Sequence, residues 1–252
     1  MPTTPKGIVY PDQTGHTRIW EHLQTLGTGV DGLLMGNIDI QVFAGSASWT
    51  RPAGAIVSKI CLCGAGGGGG GAALTTAGQC SIGAGGAGGG YSEMWLNAAT
   101  IGSSVAVTIG SGGTAGAAGN NAGGTGGTTS FGAFCNATGG TGGQGMVATT
   151  LSINTGGTGG IGSGGHLNLE GKDGSRGRVT NGGGNGFVAD CGMGGDSNMG
   201  WGADSPAASV GGVGLTGQNY GGGGSGGLTN SNAAVAGGAG APGYCFVMTM
   251  MA

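Results

Sequence analysis

Glycine fills 71 of the 252 positions, in runs such as 66–71 and in a Gly-Gly-Thr-Gly-Gly used at 123–127, 139–143 and 156–160. Glycine has no side chain to bury, loses more conformational freedom on folding than any other residue, and weakens helices and strands alike. An ordinary side-chain core is therefore excluded along most of the chain. Disorder is the first alternative for such a composition. It sits badly with 37% hydrophobic and 7% charged residues and a net charge of −3, because disordered chains are poor in apolar residues and rich in charge. The second alternative is a set of polyproline II-type helices, with three residues per turn and no internal hydrogen bonds. Without Cβ atoms between them, such helices approach closely enough to bond N–H to C=O across the gap, and buried amides need partners. A collagen fold is excluded because the Gly-X-Y triplet is not sustained beyond residues 171–177.

Charge is sparse and unevenly placed. Between Lys59 and Glu170 the only charged side chain is Glu93, and the densest charged window is Glu170 to Arg178. The weak net charge gives no reason to expect nucleic acid. The opening Met-Pro-Thr-Thr-Pro-Lys lacks an apolar signal core, and no stretch approaches the roughly 18 apolar residues that span a membrane, so neither a cleaved signal nor membrane insertion is expected. The six cysteines are scattered. Cys61 and Cys63 lie on one face of a strand and match no zinc or redox spacing, so buried free thiols are expected.

Residues 1–36 are expected to form an N-terminal segment and 37–252 a glycine-rich β domain. Thr17 to Leu34 reads as a helix, with Ile19, Leu23, Leu26, Val30 and Leu33 spaced 4, 3, 4, 3. That 3.5-residue period is a coiled-coil seam and points to self-association. Gly27, Gly29 and Gly32 weaken the helix by roughly 1 kcal/mol each relative to alanine. The competing reading is one amphipathic helix packed on its own domain. From Ile38 onward, strand-sized apolar bursts are bounded by glycine: Ile38–Phe43, Ala55–Cys63, Tyr91–Leu96, Val105–Ile109, Thr128–Phe134, Met146–Ile153 and Tyr244–Met250. They predict a mainly β, antiparallel scaffold whose long connections are glycine tracts.

Ser48-Trp49-Thr50-Arg51-Pro52-Ala53-Gly54-Ala55, the strand leading into Gly64-Ala65 and six glycines, Gly88-Gly89-Gly90-Tyr91-Ser92-Glu93, Val105 to Gly110, and Gly237-Gly238-Ala239-Gly240-Ala241-Pro242-Gly243 carry a resemblance. Over about 41–252 the chain resembles the glycine-rich domain of bacteriophage tail fibres and minor tail proteins. Residues 6–12 and 15–22, with Val30-Asp31, are similar to the N-terminal segments of minor tail proteins in phages of actinobacteria. The resemblance implies a jelly-roll-like sandwich with polyglycine II inserts, a homotrimer, attachment to other tail proteins through the N-terminal segment, and a place in the virion tail. It further implies contact with a host cell-surface glycan or protein. A capsid head fibre or decoration protein, or a non-viral extracellular glycine-rich module, would share the domain. The many cysteines and the long polar stretch at 166–209 depart from the family pattern.

Chemistry-bearing motifs are few. No helix follows the Gly-x-Gly-x-x-Gly strings and no Gly-Lys-Ser/Thr occurs, so nucleotide binding has no support. His16 and His22, six apart, fall on different helix faces, and His166 reads as a solvated loop histidine. No metal, cofactor or catalytic constellation is expected, and an enzyme has no support. Trp20, Trp49 and Trp95 read as core. Trp201, between Gly200 and Gly202 and before Asp204, is either a recognition aromatic on a glycine hinge or a plug between glycine helices. Arg176 and Arg178, with Lys172, would either meet an acidic polymer or pair with Glu170 and Asp173 on a solvated loop. The candidate receptor contacts are Arg176, Arg178, Asn198, Trp201 and Tyr220.

Overall fold

The computed structural model describes residues 38–181, 187–190, 192–206 and 211–251. The expected N-terminal helix with Ile19, Leu23, Leu26, Val30 and Leu33, together with Trp20, His16, His22 and Cys191, lies outside the described residues.

The chain is mainly β. In order, its strands are β1 (Ile38–Phe43), β2 (Ala47–Thr50), β3 (Ala55–Cys63), β4 (Cys80–Ile82), β5 (Tyr91–Asn97), β6 (Ser104–Thr108), β7 (Thr129–Phe131) and β8 (Cys135–Ala137). They continue with β9 (Ser152–Ile153), β10 (Gly162–Ser163), β11 (Leu167–Leu169), β12 (Arg178–Asn181), β13 (Phe187–Asp190), β14 (Leu228–Asn230) and β15 (Tyr244–Met251). Among the described residues one helical turn, α1 (Ala98–Ile101), is present, capped by the Asn97 side chain. Two five-stranded antiparallel sheets, ordered β1-β15-β3-β5-β11 and β10-β8-β7-β6-β2, face each other across a core of Phe43, Trp49, Ile60, Leu62, Val107, Phe131, Cys245 and Val247 among others. In β3, β6 and β15 every second residue points inward, as at Ile60 and Leu62, Val105 and Val107, and Cys245 and Val247, as alternation dictates, whereas β1 turns Ile38, Ile40 and Val42 outward.

Nearly every sandwich strand continues into a glycine tract. Residues 64–72 leave β3, 83–90 lead into β5, 110–119 leave β6, 121–127 lead into β7, 138–146 leave β8, 154–161 lead into β10, and 235–243 lead into β15. The tracts run side by side, away from the sandwich, to a second end made of β4 with β14 and of β9 with β12 and β13. That far end closes over its own small core of Cys80, Ile82, Met146, Val179 and Leu228.

The hydrogen bonds of 64–72 have a period of three. The amides of Gly64, Gly67 and Gly70 bond to the carbonyls of Gly90, Ala87 and Ala84. Those of Ala65, Gly68 and Gly71 bond to Gly127, Gly124 and Asn121, and those of Gly66, Gly69 and Ala72 to Ala241, Gly238 and Val235. All nine distances lie between 2.8 and 3.1 Å, and each series descends by three, so these three neighbours are antiparallel. Three more tracts donate into 64–72: Gly140, Gly143 and Met146; Gly113, Gly116 and Gly119; and Gly224 and Gly227. One helix of three residues per turn is thus ringed by six others, the arrangement in which every main-chain amide and carbonyl finds a partner without a side chain.

Residues 83–90 and 221–227 are enclosed in the same way, and all three inner tracts are buried throughout. The outer tracts show burial at every third position, as at Asn154, Gly157 and Gly160. The repeated Gly-Gly-Thr-Gly-Gly forms part of this outer layer, with Thr125, Thr141 and Thr158 facing solvent. A Cβ at Gly67 would lie 2.1 Å from the Thr141 carbonyl oxygen and one at Gly69 2.0 Å from that of Ser225, so close approach demands glycine there. Between tracts the chain reverses at tight turns such as Gly119, with φ 109°, a conformation that favours glycine.

Some details differ from the sequence reading. Of the expected strand Met146–Ile153 only Ser152–Ile153 forms a strand; Thr149 makes an isolated antiparallel bridge to Cys80, and Met146 still belongs to the lattice, donating to the Gly71 carbonyl. Trp49 is core as expected, but Trp95 is 38% exposed on the outer face of its sheet, with Lys59 Nζ 5.5 Å from its ring centroid. Among the described residues no helix is long and apolar enough to cross a membrane.

Candidate ligand groove

Trp201 stands at 67% exposure on the flank of the lattice, so its ring plugs no gap between glycine helices. Its neighbours do not form a flexible hinge either. A Cβ at Gly202 would lie 2.0 Å from the Gly194 carbonyl oxygen, and one at Gly200 2.5 Å from those of Gln218 and Tyr220. The Trp201 carbonyl accepts the Gln218 amide at 2.9 Å, and the Ala203 amide donates to Gly223 at 2.9 Å. The aromatic is therefore displayed from a backbone fixed on both sides.

Beside the ring runs a groove of about 370 Å³ lined by Lys172, Ser175, Met193, Asp196, Asp204 and Gln218, with Gly194 and Gly202 at its floor. Lys172 and Ser175 are three apart and so share one face of their tract, where their amides donate to Asp196 and Met193. Asp196 is held from two directions: its Oδ2 is 3.2 Å from Lys172 Nζ and its Oδ1 accepts the Gly202 amide at 2.9 Å. The groove thus offers a flat ring, two carboxylates, an ammonium and a carboxamide on a rigid wall.

The expected pairing of Lys172 with Glu170 or Asp173 is not what forms. Lys172 meets Asp196, and Asp173 instead accepts the Gly159 amide at 2.8 Å. The period of three explains this, since Asp173 is one residue out of phase with Lys172 and faces the adjoining tract. Arg176 shares the phase of Asp173. Arg178 begins β12 opposite Asp190 and exposed Ile153, at the end away from the sandwich.

The five candidate contacts therefore do not converge. Asn198, Trp201 and Tyr220 share two adjoining turns near the sandwich, bridged by Ser197 Oγ donating to the Tyr220 carbonyl. The Tyr220 ring is committed to the fold, stacked 4.2 Å from that of Tyr244. Arg176 and Arg178 are exposed elsewhere. Asp196, Asp204 and Gln218 were missed because their closeness to Trp201 depends on which tracts are neighbours, and no local spacing encodes that. His166 is exposed, and its Nδ1 accepts the Trp95 amide at 3.1 Å.

Cys61, Cys63, Cys80, Cys135 and Cys245 are free and buried. Burial pushes the Cys63 and Cys135 thiols up to about 11 and Cys245 higher still, which leaves them protonated and unreactive near neutrality. Among the described residues no group of three or more His, Cys, Asp or Glu side chains is arranged to hold a metal.

The β-sandwich feeds its strands into a hydrogen-bonded bundle of glycine helices. Residues 41–248 match the Glycine-rich domain family, and the chain belongs to it. No curated protein matches the chain.

Proposed function

We propose that this chain is a structural virion protein of a tailed phage, a minor tail protein or tail-tip fibre, whose lattice displays a groove for a host-surface glycan. The observation that carries the binding half of this reading is Trp201, 67% exposed on a backbone that cannot yield. A sugar ring presents apolar C–H faces and a rim of hydroxyls. An exposed indole supplies a platform for the first, and Asp196, Asp204, Lys172 and Gln218 supply donors and acceptors for the second. Rigid aromatics anchor a ligand at low entropic cost, and preorganisation reduces what association must overcome. The virion half is supported by the resemblance of 48–55, 88–93, 105–110 and 237–243 to tail-fibre sequences. Weak groove contacts would be multiplied across copies against a repeating polymer.

The experiment is co-sedimentation of the purified chain with bacterial cell-wall polysaccharides, alongside Trp201→Ala. The expected result is binding by the wild type and a loss of at least about tenfold in the variant, in line with the cost of removing an aromatic anchor, with thermal unfolding unchanged. Binding unaffected by Trp201→Ala overturns the groove. Antibody labelling of heads rather than tails in phage lysates overturns the tail assignment.

A further inference from the structure

The charges that line the groove beside Trp201 do not cancel. Lys172 Nζ meets Asp196 Oδ2 at 3.2 Å, and Asp196 Oδ1 accepts the Gly202 amide, so that pair is closed on itself. Among the described residues Asp204 has no basic partner, and the other side chains along the groove, Ser175, Met193 and Gln218, are neutral. Backbone phase decides where the open carboxylate stands. Ala203 and Pro206 are buried, whereas Trp201 and Asp204 are exposed. At three residues per turn, indole and carboxylate rise from one face of their tract, a single turn or about 9 Å apart along its axis.

We propose that the groove selects its glycan by charge, taking a sugar unit that carries a free, protonated amine, such as a hexosamine without its N-acetyl group. This rests on the glycan-binding reading of the same groove and narrows it. An ammonium group is attracted to the face of an indole and makes a charge-assisted hydrogen bond to a carboxylate. Trp201 and Asp204 offer both from one rigid wall. Other ligands fail on the same carboxylate. A polymer bearing phosphate or uronate groups meets Asp204 as a like charge, because Lys172 is already engaged. A neutral or N-acetylated unit can donate a hydroxyl to Asp204 but returns no positive charge, so covering the carboxylate costs more than in the ammonium complex. A bridging metal ion fails on the donor set: both Asp196 oxygens are engaged, and no metal-holding group of His, Cys, Asp or Glu occurs among the described residues. The volume of about 370 Å³ lies near the lower end of ligand sites, which suits one substituted unit rather than a long stretch of polymer.

The test is isothermal titration calorimetry of the full chain with two probes, a glucosamine tetramer and its fully N-acetylated counterpart. At about pH 6, below the range in which α-amino groups lose their proton, the wild type is expected to bind the glucosamine tetramer at least about tenfold more tightly, the ratio that one hydrogen bond to a charged group supports. At about pH 9, above that range, the preference is expected to vanish. Asp204→Asn is expected to abolish the preference at the lower pH while keeping the weaker binding of the N-acetylated tetramer, with the melting temperature unchanged because Asp204 is exposed. Glu170→Gln, which removes the same charge outside the groove, is expected to leave the preference intact. Equal affinity for the two tetramers overturns the proposal, as does binding of neither. So does a preference that survives Asp204→Asn or the higher pH, or one that Glu170→Gln removes as fully, which assigns it to a general attraction between an acidic chain and a cation. Binding abolished by a chelator overturns it in favour of a metal bridge. Failure of the groove itself reads differently: Trp201→Ala then leaves the affinity for both tetramers unchanged.

Discussion

In the sandwich, Trp49 and Phe131 meet edge to face with ring centroids 5.7 Å apart, and both are fully buried. In the lattice, Gly69 is equally buried, yet what surrounds it is main chain: it donates to Gly238 and accepts from Gly116. One region excludes water by filling space with side chains, the other by removing them so that backbones can pair. The two should therefore respond oppositely to added and deleted atoms. An added methyl group is the severe insult in the lattice, and a deleted one in the sandwich.

The largest effect is expected for Gly69→Val. Its Cβ would fall 2.0 Å from the Ser225 carbonyl oxygen, and neither backbone can withdraw without breaking bonds to other tracts, so the variant is expected to yield no soluble folded protein. Gly45→Ala is the control. A Cβ there meets nothing within 4 Å, and the expected change is neutral to a gain of about 0.5 kcal/mol from a stiffer unfolded chain. Equal behaviour of the two in thermal denaturation would dissolve the distinction between regions. Next comes Phe131→Ala in the sandwich, expected to cost about 3–5 kcal/mol by chemical denaturation.

This contrast also explains what the sequence reveals. The sandwich strands are legible because Val105 and Val107 carry the period of two that a half-buried sheet imposes, and the same alternation marks β1 as a strand although it turns Ile38, Ile40 and Val42 to the exposed face. The lattice is legible as a class, since glycine at such density leaves one way to satisfy buried amides. Its neighbour relations are not. Whether 64–72 lies against 84–90 or 157–160 is decided by which strands carry the tracts, and bare glycine carries no partner-specific side chain. Hence Trp201 stands out as an exposed aromatic in a polar stretch, whereas its companion Asp196 and the alignment of Lys172 with Asp196 do not. Trp95 misleads for a related reason: alternation places it on a sheet face without saying which face is covered.

A smaller effect is expected where the lattice does use a side chain. Buried Asn154 donates from Nδ2 to the carbonyls of Ile82 and Gln144 at 2.8 and 3.0 Å, and its Oδ1 accepts the Gly177 amide at 2.8 Å. It substitutes for a glycine-helix contact where the tracts give way to the far-end strands. Asn154→Ala is expected to cost about 1–3 kcal/mol, the penalty for leaving buried backbone groups unpaired. Amide exchange at Gly177 should rise before exchange at Gly69 does. If both rise together, the lattice unfolds as one unit and the far end has no independent stability.

The smallest effect belongs to charge, which this chain scarcely uses. Burial pushes the Glu93 carboxyl up, but hydrogen bonds from Lys59 and Tyr91 outweigh it and leave the group below its usual 4.5. Lys59 is raised above its usual 10.5, chiefly by the bond to Glu93. A depressed acid stabilises the fold fully above its unfolded value, and the contribution fades as pH falls through the folded one. A raised base stabilises fully below its unfolded value, and the contribution fades as pH climbs past the folded one. Melting temperature should thus be level between these limits and fall on the acid side by about 2 °C or less, matching under about 1 kcal/mol for a pair still open to water. Glu93→Gln should flatten that acid limb while leaving the consequences of Gly69→Val and Phe131→Ala untouched. An acid limb that persists in Glu93→Gln would mean that another carboxylate carries it, and that the pair serves only to cancel charge on an otherwise apolar face.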